Sequence, residues 1–355
     1  MMRTDDSDGE RKTGVDYREQ ILNILHSESD SRAEMTRRLG VTKAYITKLT
    51  SRMLADGIIE AREVKENGAG RPQQLLAVTP AQRYSVNIML RRGSLQGTLN
   101  DYNTQQPAAA TLNTSLPEVM TPQELVRQVG EGIQVLCDLA GLGSDSIRVA
   151  SVALQGGIEH TTGCVRYCPL FPENNINLMR MLETHTGIAT RIYNIAHCTN
   201  YLLAKSAPSL SYVAFMPGFG SLGYGYCTNG EPGLGENGFY PEIVHLPYDG
   251  GLESAFNVEA HDIAGTVQKT AEALYYAICC TAPIHNIRLV IATGELFEDY
   301  GDSILPIAQT MLDTNANPHI REIQIRHYKT GHNYGWKGLV QLSSDSITSL
   351  LTRPE

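Results

Sequence analysis

Residues 31–55 have the sequence SRAEMTRRLG VTKAYITKLT SRMLA, which contains two helix signals separated by a glycine. Ser31 can cap a first helix that ends at Gly40, because glycine readily adopts the left-handed backbone that follows many helices. Thr42 can cap a second helix, which we predict over residues 43–55 with one apolar face. A short helix, a glycine-containing turn and a second helix are typical of the helix-turn-helix motif.

The exposed side chains of these two helices are candidates for contact with DNA. The second helix of such a motif enters the major groove and offers its first residues to base edges. Residues 31–56 contain six basic and two acidic side chains, which suits a phosphate backbone, although a solvated helix face would give the same pattern. The DNA-contacting residues expected on the helices are Arg32, Thr42, Lys43, Tyr45, Thr47, Lys48 and Arg52.

A β-hairpin is predicted behind the second helix, from β-like runs at 58–61 and 74–78. Its tip, Gly-Ala-Gly-Arg-Pro at 68–72, can place the guanidinium of Arg71 in a narrow minor groove, where the potential is most negative. An ordinary hairpin loop is the alternative. With the hairpin, residues 15–80 are predicted to form a winged helix-turn-helix that binds double-stranded DNA. A winged helix that mediates protein contacts is the alternative for the whole module.

The remainder of the chain, 83–355, has the pattern of an α/β body. Alternating strands and helices with glycines at strand ends are typical of lobes that bind nucleotides or sugars. The predicted elements are a strand hairpin over 83–99, a helix over 122–139, a strand over 146–154, a helix over 177–186, a strand over 189–193, a helix over 196–206, a strand over 212–216, a helix over 258–280 and a strand over 288–292.

Charge is unevenly distributed along the 355 residues. Residues 1–80 hold 13 basic and 13 acidic side chains, so the whole net charge of −9 lies after residue 80. An acidic body behind a basic helix would limit non-specific adhesion to DNA. Residues 1–14 are polar and charged, and we expect them to be a disordered tail.

Composition excludes several classes of protein. Hydrophobic residues make up 42% of the chain, which is enough for a sizeable core. No run of about 18 apolar residues exists, which argues against a membrane span, and residues 1–12 lack the apolar segment of a secretion signal. The seven cysteines form no CxxC pair, which favours reduced thiols over a disulfide framework or metal site. We expect a cytoplasmic protein without membrane contact.

A winged helix followed by this order of strands and glycine turns resembles the ROK family (repressors, open reading frames, kinases). The resemblance covers the chain after residue 15 and is strongest to the NagC- and XylR-type sugar-responsive regulators. It implies a two-lobed, actin-like and ribonuclease-H-like body. A glycine turn at 220–223 and Gly294 beside Thr293 keep parts of the family pattern.

The same resemblance implies that the chain is not a kinase. The family's kinases use an Asn-Asp pair whose Asp is the general base, and the matching pair here is Asn194 and Ile195, where isoleucine accepts no proton. Their Asp-x-Gly-x-Thr phosphate loop matches residues 87–91, where Asn87 replaces the metal-handling carboxylate and Met89 replaces the glycine. We therefore expect no phosphoryl transfer and no cofactor. A divergent sugar kinase is the rival hypothesis.

The family's zinc site is also missing from the sequence. That site has a His followed by a Cys-x-Cys-Gly-x-x-Gly-Cys run, and the matching stretch, 245–253, contains no cysteine. A histidine and neighbouring carboxylates do not supply the thiolates of a structural zinc site, so we expect no metal.

Part of the family's sugar pocket persists. The Gly-Glu-x-Gly-His motif resembles residues 241–245, and the glutamate after the last family cysteine resembles Glu253. Carboxylates, amides and an imidazole can pair with vicinal hydroxyls, although such groups can also satisfy loop backbone. The expected ligand-binding residues are Asn174, Asn175, Asn194, Glu242, His245 and Glu253.

The sequence thus predicts a DNA-binding transcriptional regulator, which we expect to be a repressor. A homodimer on an inverted repeat follows from two recognition helices about one helical turn apart. The body would sense a sugar or sugar phosphate by shifting between lobe arrangements. A ligand-independent regulator controlled by a protein partner is the remaining alternative.

Overall fold

The computed structural model describes residues 17–64, 73–79, 83–104, 107–218, 221–248, 250–256, 263–331 and 333–352. The predicted tail at 1–14, the hairpin tip with Arg71, Gly220 and the start of the helix predicted from 258 lie outside the described residues. Contacts divide the chain into two units: one holds the residues before 83 together with those from 345 onward, and the other holds 83–344.

The elements are numbered here in chain order over the described residues. The helices are α1 (Tyr17–Ser27), α2 (Arg32–Leu39), α3 (Lys43–Ala55), α4 (Pro122–Ala140), α5 (Leu178–Thr186), α6 (Ile195–Ser206), α7 (Ile263–Thr281), α8 (Glu295–Asp313), α9 (Pro318–Arg321) and α10 (Tyr334–Thr352). The strands are β1 (Asp30–Ser31), β2 (Ile59–Val64), β3 (Gln73–Val78), β4 (Tyr84–Arg91), β5 (Ser94–Asp101), β6 (Pro107–Ser115), β7 (Ile147–Leu154), β8 (Gly157–Glu159), β9 (Cys164–Tyr167), β10 (Ile176–Asn177), β11 (Thr190–Asn194), β12 (Tyr212–Gly218), β13 (Ser221–Thr228), β14 (Glu231–Pro232), β15 (Leu289–Ala292) and β16 (Gln324–His327).

The two capped helices predicted around residue 40 are confirmed. The Ser31 hydroxyl accepts a hydrogen bond from the backbone N–H of Glu34 at 3.2 Å and begins α2. Gly40 ends α2 with φ +65°, and Thr42 caps α3. Each cap pairs a backbone N–H that the helix itself leaves without a partner, so both boundaries follow from local chemistry.

The first unit packs α1, α2 and α3 against a small sheet of order β1-β3-β2, in which β2 and β3 are antiparallel. Each helix contributes fully buried side chains to the core, and β3 contributes another. These are Ile21, Leu22, Met35, Ile46, Met53 and Leu76. Burial of Ile46 and Met53 sets the inner face of α3 and leaves the opposite face to solvent.

The second unit contains, among its described residues, two five-stranded mixed sheets. The first sheet has the order β11-β7-β4-β5-β6, with β4, β7 and β11 parallel, and the second has the order β14-β13-β12-β15-β16, with β12, β15 and β16 parallel. One core packs α4 and α5 on the first sheet, and another packs α7 and α8 on the second. The expected α/β class is confirmed.

Most predicted elements of this unit are present with small shifts of their ends. The hairpin predicted over 83–99 is β4–β5, with Gly93 at φ +75° in its turn. The helix predicted over 122–139 is α4, which Thr121 and Glu124 open with a reciprocal capping box.

The glycine-rich stretch after residue 218 differs from the expected turn. Gly223 lies inside β13, where it pairs with Met216 of β12. A Cβ atom at Gly223 would lie 2.8 Å from the Cβ of Ala196 in α6. Glycine at this position therefore permits α6 to approach the sheet closely, which no local sequence signal reveals.

Candidate functional site

A cavity of about 940 Å³ lies in the second unit and is lined by residues of both five-stranded sheets. Three helices, α6, α8 and α10, begin at its wall. Helix N-termini carry partial positive charge and unpaired N–H groups, which favour polar or anionic ligands. A cavity of this size, with polar groups on several sides, suits a small molecule.

Four of the six predicted ligand residues line this cavity, namely Asn194, Glu242, His245 and Glu253. Asn174 and Asn175 are not part of its lining. The Asn175 amide oxygen accepts a hydrogen bond from Arg166 at 2.9 Å, and Arg166 also pairs with the buried Glu159. Asn175 therefore belongs to an ion-pair cluster beside the cavity.

Glu242 is a largely buried carboxyl group in the cavity wall. Its side chain is 15% exposed, and its Oε2 atom has no hydrogen-bond partner within the described residues. Burial, and then the neighbouring Glu253, raise the pKa of Glu242 to about 7. An unpaired, partly protonated carboxyl can donate or accept a hydrogen bond at neutral pH, as a hydroxyl-bearing ligand requires.

His245 lies between Glu242 and Tyr167 in the cavity wall. Its Nε2 lies 3.9 Å from Oε2 of Glu242 and 3.3 Å from the hydroxyl of Tyr167. Glu253 accepts a hydrogen bond from the backbone N–H of Leu222 in β13 at 3.2 Å, so one of its oxygens already binds the protein backbone. Tyr167 had no sequence signal as a cavity residue.

Asn194 lines the cavity and also caps the start of α6. Its amide oxygen accepts a hydrogen bond from the N–H of Ala196 at 2.7 Å, and its amide nitrogen donates to the carbonyl of Gly156 at 2.8 Å. Ile195, which the sequence resemblance matches to the kinase base, also lines the cavity. The side chain at that position is therefore apolar.

The residues matched to the phosphate loop, 87–91, differ in their surroundings, because Arg91 lines the cavity and Asn87 does not. Asn87 is fully buried and donates hydrogen bonds to Ser85 and Asn100 at 3.1 and 3.0 Å. Its amide oxygen accepts a hydrogen bond from the hydroxyl of Ser343 in α10. Asn87 thus lies in the interior of the unit, and it is not part of the cavity lining.

Arg91, at the end of β4, lies in the cavity wall and reaches toward the second sheet. Its guanidinium nitrogen lies 3.5 Å from Oε1 of Glu295, the first residue of α8. Sequence reasoning missed both members of this ion pair, although their positions at the end of a strand and directly after Gly294 were available signals. Other lining residues that it missed include Gln155, Glu298 and Trp336.

No metal centre or membrane helix is indicated in the part of the chain that the structure describes. No group of three or more His, Cys, Asp or Glu side chains there is arranged to hold a metal ion. None of the described helices is both long and apolar enough to cross a membrane.

The exposed face of α3 collects the predicted DNA-contacting residues of that helix. Tyr45 is 41% exposed and packs edge-on against Tyr17, with ring centroids 5.6 Å apart. The Thr47 hydroxyl donates to the carbonyl of Lys43, so it also serves the helix backbone. The side chains exposed along this face are Lys43, Tyr45, Thr47, Lys48 and Arg52, next to the exposed cap Thr42.

The basic residues of α2 are placed differently, because partners within the first unit bind them. Arg37 pairs with Glu34, and Arg38 pairs with Glu28 and Asp30 at 2.6 and 3.5 Å. Arg32, predicted to contact DNA, donates hydrogen bonds to Thr50 and Gln74. Three of the six basic side chains of residues 31–56 therefore have partners within the first unit, and the other three lie on α3.

No family model and no curated protein sequence matches this chain. Solved structures do match. A ROK family transcriptional regulator, a homologue of the E. coli MLC protein, has 15% identity and a TM-score of 0.75, over 95% of this chain and 98% of that one. The ROK hexokinase from Thermus thermophilus has 13% identity and a TM-score of 0.55, over 75% and 99%. A ROK family glucokinase from Streptomyces griseus, in complex with glucose and AMPPNP, has 12% identity and a TM-score of 0.56, over 73% and 98%.

At these identities the likeness establishes the fold. The chain has the fold of ROK-family proteins, as the resemblance in its sequence implied. The regulator matches over nearly the whole chain, whereas the two kinases match over about three quarters of it.

Proposed function

We propose that this protein is a sequence-specific DNA-binding regulator that represses transcription as a homodimer in the cytoplasm. Residues 15–80 would form the winged helix-turn-helix, and 83–355 the effector and dimerisation body. The observation that carries the proposal is the exposed basic face of α3, which follows a short capped helix and precedes a β-hairpin. That arrangement suits a helix entering the major groove.

The comparison with solved structures supports a regulator over a kinase. The matching regulator covers about a fifth more of this chain than the kinases do. A segment of that size corresponds to the residues before 83, which a kinase does not need. Two such modules in a dimer would engage an inverted repeat.

The cavity wall supports a body that binds a ligand and performs no phosphoryl transfer. Ile195 stands where a general base is required, and Asn87 is bonded into the interior, away from any metal-bound phosphate. Glu242, His245 and Glu253 remain as hydrogen-bonding groups for a sugar or sugar phosphate. Binding that favours one lobe arrangement would alter DNA affinity, whereas equal affinity for both arrangements would have no effect.

Selection of genomic DNA fragments on the full-length protein, at about 0.15 M salt, tests the DNA-binding proposal because affinity depends strongly on salt. The expected result is enrichment of an inverted repeat beside carbohydrate genes. Recovery of fragments without any shared sequence would contradict specific binding and favour a module that contacts proteins.

A panel of sugars and sugar phosphates tests the body. Trp336 is the single tryptophan of the chain and lines the cavity, so its fluorescence should report binding directly. The expected result is a saturable change with at least one ligand and no ATP turnover. Sugar-dependent ADP formation would favour the divergent kinase, and a flat response to every sugar would favour the ligand-independent regulator.

A further inference from the structure

Arg32 is the first residue of α2, yet its side chain joins two other elements. Its Nε atom donates a hydrogen bond to the hydroxyl of Thr50 in α3 at 2.8 Å. One of its terminal nitrogens donates to the amide oxygen of Gln74 in β3 at 3.0 Å. A single guanidinium therefore links the start of α2, the middle of α3 and the start of β3.

The bond to Thr50 has a defined direction. Thr50 is fully buried on the inner face of α3, and its hydroxyl donates to the carbonyl of Ile46 at 2.8 Å. A hydroxyl has one hydrogen and two lone pairs, so the oxygen that faces Arg32 is free to accept. This bond fixes Arg32 to a buried point on the helix whose outer face carries Lys43 and Lys48.

The bond to Gln74 lies at the start of the described part of β3. Gln74 is the second residue of β3, pairs with Glu63 of β2, and follows Arg71 by three residues. The planar guanidinium presents its donors at fixed angles, so the two bonds together set the position of β3 relative to α3.

We propose that Arg32 is a positioning residue, which holds α3 and the β2–β3 hairpin in the one geometry that lets both contact the same DNA site. This inference rests on the proposed DNA-binding function. It assigns Arg32 a role inside the module in place of the phosphate contact expected from its charge.

The test measures operator affinity against salt for full-length variants. Arg32→Ala removes both bonds and should weaken binding by about tenfold or more, because hydrogen bonds from a charged group contribute more than neutral ones, with an unchanged salt slope. Arg32→Lys keeps the charge but not the planar pair of donors, so it should weaken binding nearly as much. Gln74→Ala should weaken binding less, and adding it to Arg32→Ala should cost little more, because both changes remove the same bond.

Arg37→Ala is the matched control, because it removes one positive charge from α2, where Arg37 pairs with Glu34 of the same helix. Arg37→Ala should keep the contribution that the β2–β3 hairpin makes to operator affinity. The inference is overturned if Arg32→Ala lowers the salt slope by about 0.9, the value of one phosphate contact, and Arg32→Lys restores both slope and affinity.

Hydrogen exchange in the free protein separates this inference from the proposed function. Arg32→Ala and Gln74→Ala should each speed exchange of the β3 amides, while circular dichroism shows that the helices persist. Unchanged exchange of the β3 amides in both variants overturns the positioning role of Arg32, whether or not the protein binds DNA. The wild-type protein could bind no DNA sequence selectively while both variants exchange faster. That result would contradict the proposed function alone.

Discussion

The α3 surface and the cavity wall use polar side chains in opposite ways. On α3, Lys43, Lys48 and Arg52 extend into solvent, and the Thr47 hydroxyl satisfies the helix backbone. In the cavity, Glu242 is largely buried with one oxygen unpaired. The first arrangement suits a large polyanion that approaches from outside, and the second suits a small ligand that replaces water inside. The proposed function assigns the first arrangement to DNA and the second to an effector.

The largest expected effect is on the free energy of unfolding, and it comes from a substitution in the core beneath α3. Ile46 is fully buried on the inner face, so Ile46→Ala should lower the free energy of unfolding of the first unit by about 2–5 kcal/mol. Lys48→Ala, on the outer face, should change it by no more than about 0.5 kcal/mol. Denaturant unfolding with hydrogen exchange of the α1–α3 amides measures both. Equal losses in the two variants would show that α3 does not have distinct inner and outer faces.

A smaller effect is expected at the cavity, and it depends on pH. Burial raises the pKa of Glu242 to about 7 in the folded chain, whereas an unfolded glutamate keeps an ordinary value of 4.5. The folded chain holds this proton more tightly, so its free energy of unfolding should fall as pH rises from about 4.5 to about 7.

Glu242→Gln should remove that slope and stabilise the second unit at pH 8 by about 3 kcal/mol. Unfolding followed by Trp336 fluorescence at pH 5 and pH 8 measures the effect. Glu231→Gln, at an exposed glutamate of the same unit, is the control and should keep the wild-type slope. A Glu242→Gln variant with the same slope as wild type would refute the assignment of this pH dependence to Glu242.

The smallest effect is expected for the ion pair across the cavity. Arg91 and Glu295 are 41% and 26% exposed, and solvent screens a pair of this kind. A double-mutant cycle with Arg91→Ala and Glu295→Ala should give a coupling of about 0.2–1 kcal/mol, and the coupling should shrink at high salt. A larger coupling that is insensitive to salt would mean that the cavity excludes water far more than the exposure of this pair indicates.

The first unit was largely predictable because its signals are local. Ser31, Gly40 and Thr42 each lie within a few residues of the groups that they satisfy, so the bounds of α2 and α3 follow from the sequence. The bonds of Arg32 could not be predicted in this way. They join residues 18 and 42 positions apart, and on them rests the proposal that Arg32 links elements of the first unit.

The cavity was predictable only in part because distant residues assemble it. The sequence comparison singled out Asn87 as a changed position, but its burial depends on Asn100 and on Ser343, which is 256 residues away. Asn175 was expected to bind a ligand, and it accepts a hydrogen bond from Arg166 outside the cavity lining. Such outcomes depend on which strands and helices meet, which spacing along the chain does not encode.

The most direct test of the central claim is the salt dependence of operator affinity for wild type, Lys48→Ala and Lys269→Ala. Lys269 is an exposed lysine of α7 in the second unit, so its removal makes the same charge change away from α3. The account predicts that Lys48→Ala lowers affinity and reduces the salt slope by about 0.9, the share of one phosphate contact. Lys269→Ala should match wild type. Equal affinities and equal slopes for all three proteins would contradict DNA binding through α3.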